Sequence, residues 1–450
     1  MKKDCKGTAF EILYKYFLMI ELKELLICIF VDITSLYRSN MSPQTLLLII
    51  LCIVTFEFIF ELFLEIINLQ NQKAELPSEL ADVYDNDQYV KSLQYQNATT
   101  KFGFITTGFT FLLSFIMLAT GGFGWVNNWL MQWIQQPMLL SLSFFGIMFI
   151  VSDVLSIPFQ WYSTFVIEEK YGFNKMTPSL FIQDKLKGYA LSAILGAIII
   201  GTLLFLIQWL GNSFWIIFWV FISAFMVFMN MFYTSLIVPI FNKLQPLEEG
   251  DLKNAIVTYC QKVQFPLSNL FVIDGSKRSS KANAYFSGLG KQKKVVLYDT
   301  LIKDHSIDEL VAVLAHEVGH FKKKHIIWSI VFSVIQVGIM LYVLSLFVFN
   351  EKLSFALGAN QNYIHLNLIA FGLLYSPLST ISGLLMTIIS RKNEYEADDY
   401  AKNTFGFEPL ILALKKLSSN NLSNITPHPL YVFFHYSHPP LLARIRNLSK

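Results

Sequence analysis

The chain has 450 residues, of which 54% are hydrophobic and only 15% are charged. A soluble globular protein is about one quarter charged, so this composition excludes a disordered or nucleic-acid-binding protein and argues against an ordinary soluble enzyme. The formal net charge of +3 gives no indication of a polyanionic partner.

The first forty residues do not fit a simple membrane-spanning pattern. Their apolar part, 10–31, is interrupted by five charged residues: Glu11, Lys15, Glu21, Lys23 and Glu24. Three explanations remain open: an interfacial amphipathic helix, an eighth and poor span, or translation that starts at Met41.

Long stretches of the remaining chain contain no Asp, Glu, Lys or Arg. They cover 51, 55, 25 and 38 residues, beginning at Phe102, Gly188, Ile326 and Leu353. A bilayer core needs about 20 apolar residues per helix, so the first two stretches can each hold two spans with a turn between them. Together with the apolar segment at 45–66, this predicts seven spans, at 45–66, 102–120, 138–157, 188–209, 213–235, 326–349 and 366–389.

The first of these spans carries three acids on one helical face. Glu57, Glu61 and Glu65 are each four residues apart. Because acidic side chains inside a membrane face protein or water rather than lipid, they suggest a hydrated interior.

Lysine and arginine are concentrated in alternate loops. Residues 121–137 and 210–213 contain neither, whereas 243–325 is rich in both and 158–187 contains four lysines. Cytosolic loops carry this excess. We therefore expect a multi-pass protein with 243–325 and the C-terminus in the cytosol, either in the bacterial inner membrane or in the endoplasmic reticulum membrane.

Composition predicts a mainly α, polytopic membrane protein with a small α+β cytosolic portion. Within that portion, 269–273 and 294–298 have strand-like composition and predict a hairpin or a small sheet. The chain then divides into five parts: an uncertain extension (1–40), spans one to five with their loops (41–242), the cytosolic hairpin and the helix after it (243–325), spans six and seven (326–390), and a C-terminal cytosolic segment (391–450).

The helix predicted after these strands carries an HExxH motif. Ser306 and Glu309 form a capping-box pattern at its start. His316 and His320 are four residues apart, so both imidazoles can reach one Zn²⁺ from the same helical face. The carboxylate of Glu317 can reach a metal-bound water and take its proton.

A catalytic zinc ion needs a third protein ligand and an open fourth position. The charged segment 391–399 offers Glu394 and Asp398 on one helical face, which suits one ligand and one carboxylate that orients a ligand histidine. A juxtamembrane charge cluster explains the same segment equally well. Glu396 and Asp399 point elsewhere and are expected to be solvated, and His325 is expected to be a packing or interface histidine.

Three further residues are candidates on weaker signals. His438 lies before two prolines that fix its backbone, and with Arg444 it could stabilise a tetrahedral oxyanion. Asn283 precedes the second strand and could bind an extended peptide.

Several motifs in order resemble those of the type I CAAX prenyl protease family. They are VIEEKYGFNKMT (166–177), IVPIFNKLQPLEEG (237–250), GSKRSSKANAYFSG (275–288), HEVGHFKKKH, SRKNEYEADDYA and YSHPPLLARI. The resemblance covers most of the chain from about Met41 onward. It implies an integral membrane zinc endopeptidase of the gluzincin type, with seven long helices around a water-filled chamber into which the zinc site opens.

The resemblance also implies roles for individual residues. The zinc ligands fall on His316, His320 and Glu394, the general base on Glu317, and the carboxylate that supports a ligand on Asp398. The remaining family positions are a substrate-edge asparagine, at Asn283, and a transition-state histidine and arginine, at His438 and Arg444.

The expected activity is hydrolysis of peptide bonds with one Zn²⁺ per chain, near the C-terminus of prenylated CAAX-type or other hydrophobic, membrane-associated peptides. The expected partners are such a peptide or protein and the lipid bilayer, with no nucleic acid. Two alternatives remain open: a quality-control protease for membrane proteins, and a non-catalytic multi-span transporter or scaffold.

Overall fold

The computed structural model describes residues 41–450, apart from 74, 83, 84, 268 and 289–293. The expectations for residues 1–40 therefore lie outside the described part of the chain. Six stretches of it are long and apolar enough to cross a membrane, and one of these, Pro178–Phe241, contains two long helices joined by the short 3-10 turn Gly211–Ser213. The seven predicted spans are thus all present as helices.

These seven helices are numbered here together with the short helices between them. They are α1 (Pro43–Gln70), α2 (Asn86–Ala119), α4 (Pro137–Tyr162), α5 (Pro178–Leu210), α6 (Phe214–Leu236), α11 (His325–Phe347) and α13 (Ile364–Thr404). Short helices lie in two of the loops, α3 (Gly122–Met131) and α12 (Glu351–Ala356), and α7 (Val238–Phe241) follows α6.

Polar side chains fix where several of these helices begin. Ser42, Asp85 and Thr177 each precede a membrane helix and accept a hydrogen bond from the backbone N–H three residues later. This N-cap satisfies one of the donors that a helix start leaves free. A proline in the first turn of α1 and α5 adds a backbone angle already suited to the helix.

The membrane helices are arranged in a ring rather than in a packed bundle. α1 meets α2, α2 meets the π-helical segment Ser163–Glu168 that continues α4, and α4 meets α5. α5 meets α6, α6 meets α11, α11 meets α13, and α13 returns to contact α1 and also α4. Only 6–33% of the residues in their most apolar stretches are buried against protein. Low burial of apolar helices is expected when one face meets lipid and the other a chamber.

A buried polar cluster closes one end of this ring. His365, at the start of α13, contacts Ser141 of α4 through Nδ1 at 3.0 Å and Asn127 of α3 through Nε2 at 3.0 Å. All three side chains are at most 5% exposed. Buried polar groups keep their stability cost low by pairing with one another, so this cluster can hold three helix ends together without water.

The three acids of α1 each meet a polar partner. The Glu57 carboxylate accepts a hydrogen bond from Ser376 Oγ of α13 at 2.6 Å. Tyr431 and His435, on α15 (Pro429–His435), contact Glu65 at 2.9 Å and Glu61 at 3.5 Å. Glu61 and Glu65 also line a polar cavity of about 300 Å³, so the acidic face of α1 points into the protein, as the sequence suggested.

The portion of the chain outside the membrane helices contains a four-stranded sheet, and the hairpin alternative for its two predicted strands is wrong. The strands are β1 (Leu244–Pro246), β2 (Asn269–Ile273), β3 (Ala284–Ser287) and β4 (Lys294–Tyr298), in the order β1-β2-β4-β3. β2 and β4 pair in parallel, while β3 pairs antiparallel with β4 at the edge. Parallel neighbours need a crossover connection, and the chain makes it through the 3-10 turn Gly275–Lys277 and β3.

Helices cover this sheet. They are α8 (Asp251–Lys262), α9 (Asp299–Asp304), α10 (Ile307–Lys322), α14 (Phe407–Asn420) and α16 (Leu441–Leu448). α10 lies at the centre, where Leu310, Ala312, Ala315 and Val318 are at most 2% exposed and pack against α8, the sheet and α14. The HExxH residues therefore sit on the most completely enclosed helix of this portion.

Candidate active site

The two histidines of HExxH face one another on α10. The capping box at its start is formed: Ser306 Oγ accepts from Glu309 N and Glu309 Oε2 accepts from Ser306 N. His316 Nε2 and His320 Nε2 are 3.2 Å apart. His316 is only 6% exposed, so its ring has little access to bulk water.

Glu394 of α13 completes a three-residue group. Its Oε1 lies 3.2 Å from His320 Nε2 and its Oε2 lies 3.4 Å from His316 Nε2. One ligand atom from each residue lies within 4.8 Å of the others. Of the two alternatives that the sequence left for this segment, the structure places Glu394 against the histidines rather than in a solvated charge cluster.

The donor set of this group fits a zinc ion. Two imidazoles and one carboxylate form one of the ligand sets of catalytic zinc, with a fourth position open to water or substrate. The buried Oε2 of Glu394 has no hydrogen-bond partner among the described residues. A buried carboxylate oxygen without a partner is costly, and a bound cation would satisfy it.

A glycine allows the two helices to approach closely enough. A Cβ at Gly319, inside the motif, would lie 3.0 Å from both Cα and O of Ala397 and 3.1 Å from Cβ of Tyr400. Both contacting residues belong to α13. The absence of a side chain at Gly319 thus lets α13 bring Glu394 against α10.

Asp398 and Arg444 hold His316 from behind. Asp398 Oδ1 lies 2.8 Å from His316 Nδ1, and Arg444 donates to both Asp398 oxygens at 2.6 and 2.9 Å. Asp398 has no exposed surface and Arg444 has 9%. A carboxylate on Nδ1 fixes the tautomer and orientation of a ligand histidine.

Electrostatics make this location favourable for a cation. Burial lowers the pKa of His316, but the carboxylates of Asp398 and Glu394 outweigh it and raise the pKa to about 9. Burial likewise opposes the charge of Arg444, and its bonds to Asp398 prevail and raise its pKa. The negative charge that stabilises a proton on His316 stabilises a metal ion for the same reason.

Three other predicted site residues are Glu317, His438 and Arg444. Glu317 is half-buried on α10. His438 Nε2 lies 3.2 Å from Glu394 Oε1, and its side chain is 63% exposed. Arg444 Nη1 lies 3.6 Å from Glu394 Oε2, so the guanidinium faces two carboxylates.

Arg391 ties the segment that carries His438 to α13. Its Nη1 donates to the backbone carbonyls of Val432 at 3.1 Å and Tyr436 at 2.5 Å, at the C-terminal end of α15. Since Glu394 is on the same helix one turn later, one element positions both residues. Sequence reasoning did not single out Arg391.

Asn283 lies at the β3 edge of the sheet. Its exposed side chain accepts from Ala284 N, and its carbonyl accepts from Tyr298 N at 3.1 Å. It directly precedes β3, the edge strand. An extended peptide can pair with such an edge through backbone hydrogen bonds.

His325 is buried, as expected for a packing histidine, but it packs against His320, and Glu396 is only partly solvated. His325 Nδ1 lies 3.0 Å from His320 Nδ1, and His325 Nε2 lies 3.2 Å from Glu396 Oε2. The expectation assumed one continuous helix, but Lys324 has φ +62° and separates α10 from α11. That left-handed residue redirects the chain, so His325 returns to His320 and Glu396 has a protein partner.

Residues 65–243 match the family described as "CAAX prenyl protease N-terminal, five membrane helices", and 246–450 match "Peptidase family M48".

Relatives named as CAAX prenyl protease 1 or its homologue occur in several eukaryotes. The protein of Oryza sativa subsp. japonica is 36% identical (89% of this chain, 96% of the relative), and that of Saccharomyces cerevisiae is 32% identical (87% and 93%). The crystal structure of S. mikatae Ste24p superposes with a TM-score of 0.86 at 32% identity, covering 90% of this chain and 99% of that one. The chain therefore belongs to the type I CAAX prenyl protease family of multi-pass membrane zinc metallopeptidases.

Proposed function

We propose that this membrane metalloprotease holds one zinc ion between His316, His320 and Glu394 and cleaves near the C-terminus of prenylated CAAX-type peptides. The observation that carries the zinc proposal is the convergence of these three ligand atoms within 4.8 Å of one another, beside a buried Glu394 oxygen that has no hydrogen-bond partner among the described residues. The substrate class is proposed because the relatives described above are named as CAAX prenyl proteases.

A bound zinc ion supplies Lewis acidity, which lowers the pKa of a water molecule and polarises the scissile carbonyl. Glu317 takes the proton from that water and returns it to the leaving amine. His438 donates a hydrogen bond to the carbonyl oxygen as negative charge develops there. Asp398 keeps His316 oriented, and Arg444 adds positive charge beside Glu394 and Asp398.

The peptide binds in an extended conformation beside β3. Backbone groups of an edge strand bind a chain in register without reading its side chains, which suits substrates that share a C-terminal motif but differ upstream. Asn283, exposed at the start of this strand, contributes the first side-chain contact.

We propose that the active site faces the cytosol from the endoplasmic reticulum membrane. The lysine- and arginine-rich segment 243–325 supports this orientation, and the eukaryotic relatives favour that membrane over a bacterial one. Segments 41–242 and 326–390 then form the membrane chamber, while 243–325 and 391–450 form the catalytic portion.

The test compares a farnesylated CAAX peptide with the same peptide lacking the prenyl group, using protein purified in detergent. We expect chelator-sensitive cleavage of the farnesylated peptide and much slower cleavage of the control. Equal cleavage of both peptides would refute the prenyl-specific proposal and favour a quality-control protease.

Glu317→Gln provides the matched variant. It removes the base and keeps the size of the side chain, so we expect no turnover with zinc content unchanged. Full activity in this variant would contradict the assignment of the base.

A further inference from the structure

The two proposed ligand histidines, His316 and His320, are supported by different hydrogen-bond partners. Whereas His316 is backed directly by the Asp398 carboxylate, His320 Nδ1 faces another imidazole, His325 Nδ1, at 3.0 Å. The far nitrogen of His325 lies 3.2 Å from Glu396 Oε2. From these contacts we infer that His325 and Glu396 form a two-residue relay that positions His320 for zinc, an inference that rests on the proposed function.

The positions of the protons follow from the direction that each ring faces. His320 directs Nε2 towards His316 and Glu394, and a nitrogen that gives its lone pair to a metal carries no proton. A neutral imidazole has one N–H, so that of His320 is on Nδ1 and donates to His325 Nδ1. His325 then carries its own proton on Nε2 and donates it to Glu396.

Each hydrogen bond in this relay therefore has only one possible donor and one possible acceptor. Glu396 accepts from His325, which sets the His325 tautomer and leaves Nδ1 as an acceptor. That acceptor sets the tautomer of His320 and the plane of its ring. Partners of this kind around a zinc ligand typically change metal affinity about 10- to 100-fold when removed.

Local structure supports a positioning role rather than general packing. His325 is 6% exposed, and it is the first residue of α11, placed by the left-handed Lys324. His320 and His325 also border a cavity of about 360 Å³ lined by Ser and Asn side chains, among others. Because this cavity leaves space beside the two rings, an exchange of hydrogen-bonding group at His325 tests its chemistry more than its packing.

The experiment measures the zinc dissociation constant by competition with a chromophoric chelator in detergent. Asn and Leu have similar shapes, but only the Asn oxygen can accept from His320 Nδ1. We expect His325→Leu to raise the dissociation constant about 10- to 100-fold and His325→Asn to stay within about threefold of the unsubstituted protein. Equal values for the two variants would overturn the relay.

Glu396 offers the same test at a more accessible position, should His325→Leu not fold. Its side chain is 38% exposed, and it also pairs with Lys392 at 3.7 Å. Glu396→Leu should weaken zinc binding, whereas the control Lys392→Met should not. An unchanged dissociation constant in Glu396→Leu would overturn the inference.

A readout at the histidines separates this inference from the proposed function. In ¹⁵N spectra of the zinc-loaded protein, His320 should carry its proton on Nδ1 and His325 on Nε2, and His325→Leu should alter the His320 signals. If the unsubstituted protein binds no zinc, the proposed function fails and the relay fails with it. If that protein binds zinc while the tautomers are reversed, only the relay fails.

Discussion

Replacing Asp398 by alanine removes the group that joins His316 to Arg444. The carboxylate accepts from both residues, at 2.8 Å from His316 and at 2.6 and 2.9 Å from Arg444. All three side chains are at most 9% exposed. The substitution therefore leaves a buried guanidinium and a buried ring nitrogen without their principal partner.

The stability that Asp398→Ala is expected to lose has two parts. Removing one member of a buried ion pair costs about 3–5 kcal/mol of folding stability, because the other charge remains without compensation. Arg444 Nη1 stays 3.6 Å from Glu394, which favours the lower end of that range. Loss of the carboxylate behind His316 should also weaken zinc binding about 10- to 100-fold, so the zinc-loaded protein loses about 1.4–2.7 kcal/mol more.

Denaturant unfolding in detergent, followed by tryptophan fluorescence with and without zinc, measures both parts. The adjacent Asp399 is a matched control because it is exposed and, among the described residues, accepts a hydrogen bond from Asn447 Nδ2 at 3.2 Å. Asp399→Ala should change stability by less than about 0.5 kcal/mol. If Asp398→Ala loses less than about 1 kcal/mol and binds zinc normally, the buried-pair reasoning is refuted.

Three further predictions concern the helix contact, the substrate edge and the metal. Gly319→Ala should cost about 1–3 kcal/mol and weaken zinc binding in a chelator titration, because its Cβ would lie 3.0 Å from Ala397 backbone; Gly372→Ala, with nothing within 4 Å, is the control and should bind zinc normally. Arg278→Met removes a bidentate pair with Asp184 of α5, at 2.7 and 2.9 Å, that holds the loop leading into β3; because β3 is the strand proposed to bind the peptide, KM should rise more than kcat falls in peptide kinetics, and an unchanged KM would contradict this. Chelation should abolish activity and lower Tm in a thermal scan, since a ligand at 100 times its Kd stabilises by about 2.7 kcal/mol, and zinc but not magnesium should restore both.

The sequence predicted where the chain crosses lipid better than where its helices end. The absence of charges locates the apolar part of each span, because burying a charge in hydrocarbon is costly. It does not mark a helix end, since a helix can continue into water with polar residues. Helix α13 was expected to span 366–389, yet it runs from Ile364 to Thr404, 41 residues or about 60 Å.

The pairing of the strands lay beyond the sequence pattern for a related reason. The composition of 269–273 and 294–298 indicates strands but carries no information on their relative direction. That direction depends on β3, which occupies the edge beside β4 and leaves β2 on the other side. The hairpin alternative was wrong because it assumed that two strands close in the sequence pair antiparallel with each other.

Within the candidate site, residues that share a helical face could be predicted from their spacing. Residues that reach the site because the chain changes direction could not. The spacing of His316 and His320, and of Glu394 and Asp398, follows from the helix repeat alone. The interpretation of His325 as a packing or interface histidine assumed that it lies on the same helix as His320, and the left-handed backbone of Lys324 separates the two helices. The contacts of Arg391 needed the fold of α15, which no local pattern shows.

The length of α13 links catalysis to the membrane. Its N-terminal part holds the buried His365 cluster at one end of the ring, and about eight turns later the same helix carries Glu394 beside the HExxH histidines. A catalytic fragment made from 243–325 alone would lack Glu394 and the Gly319 contact with α13. The position of Glu394 relative to the two histidines is therefore set by the membrane helix itself, so we expect shifts of α13 within the bilayer to alter the proposed zinc site.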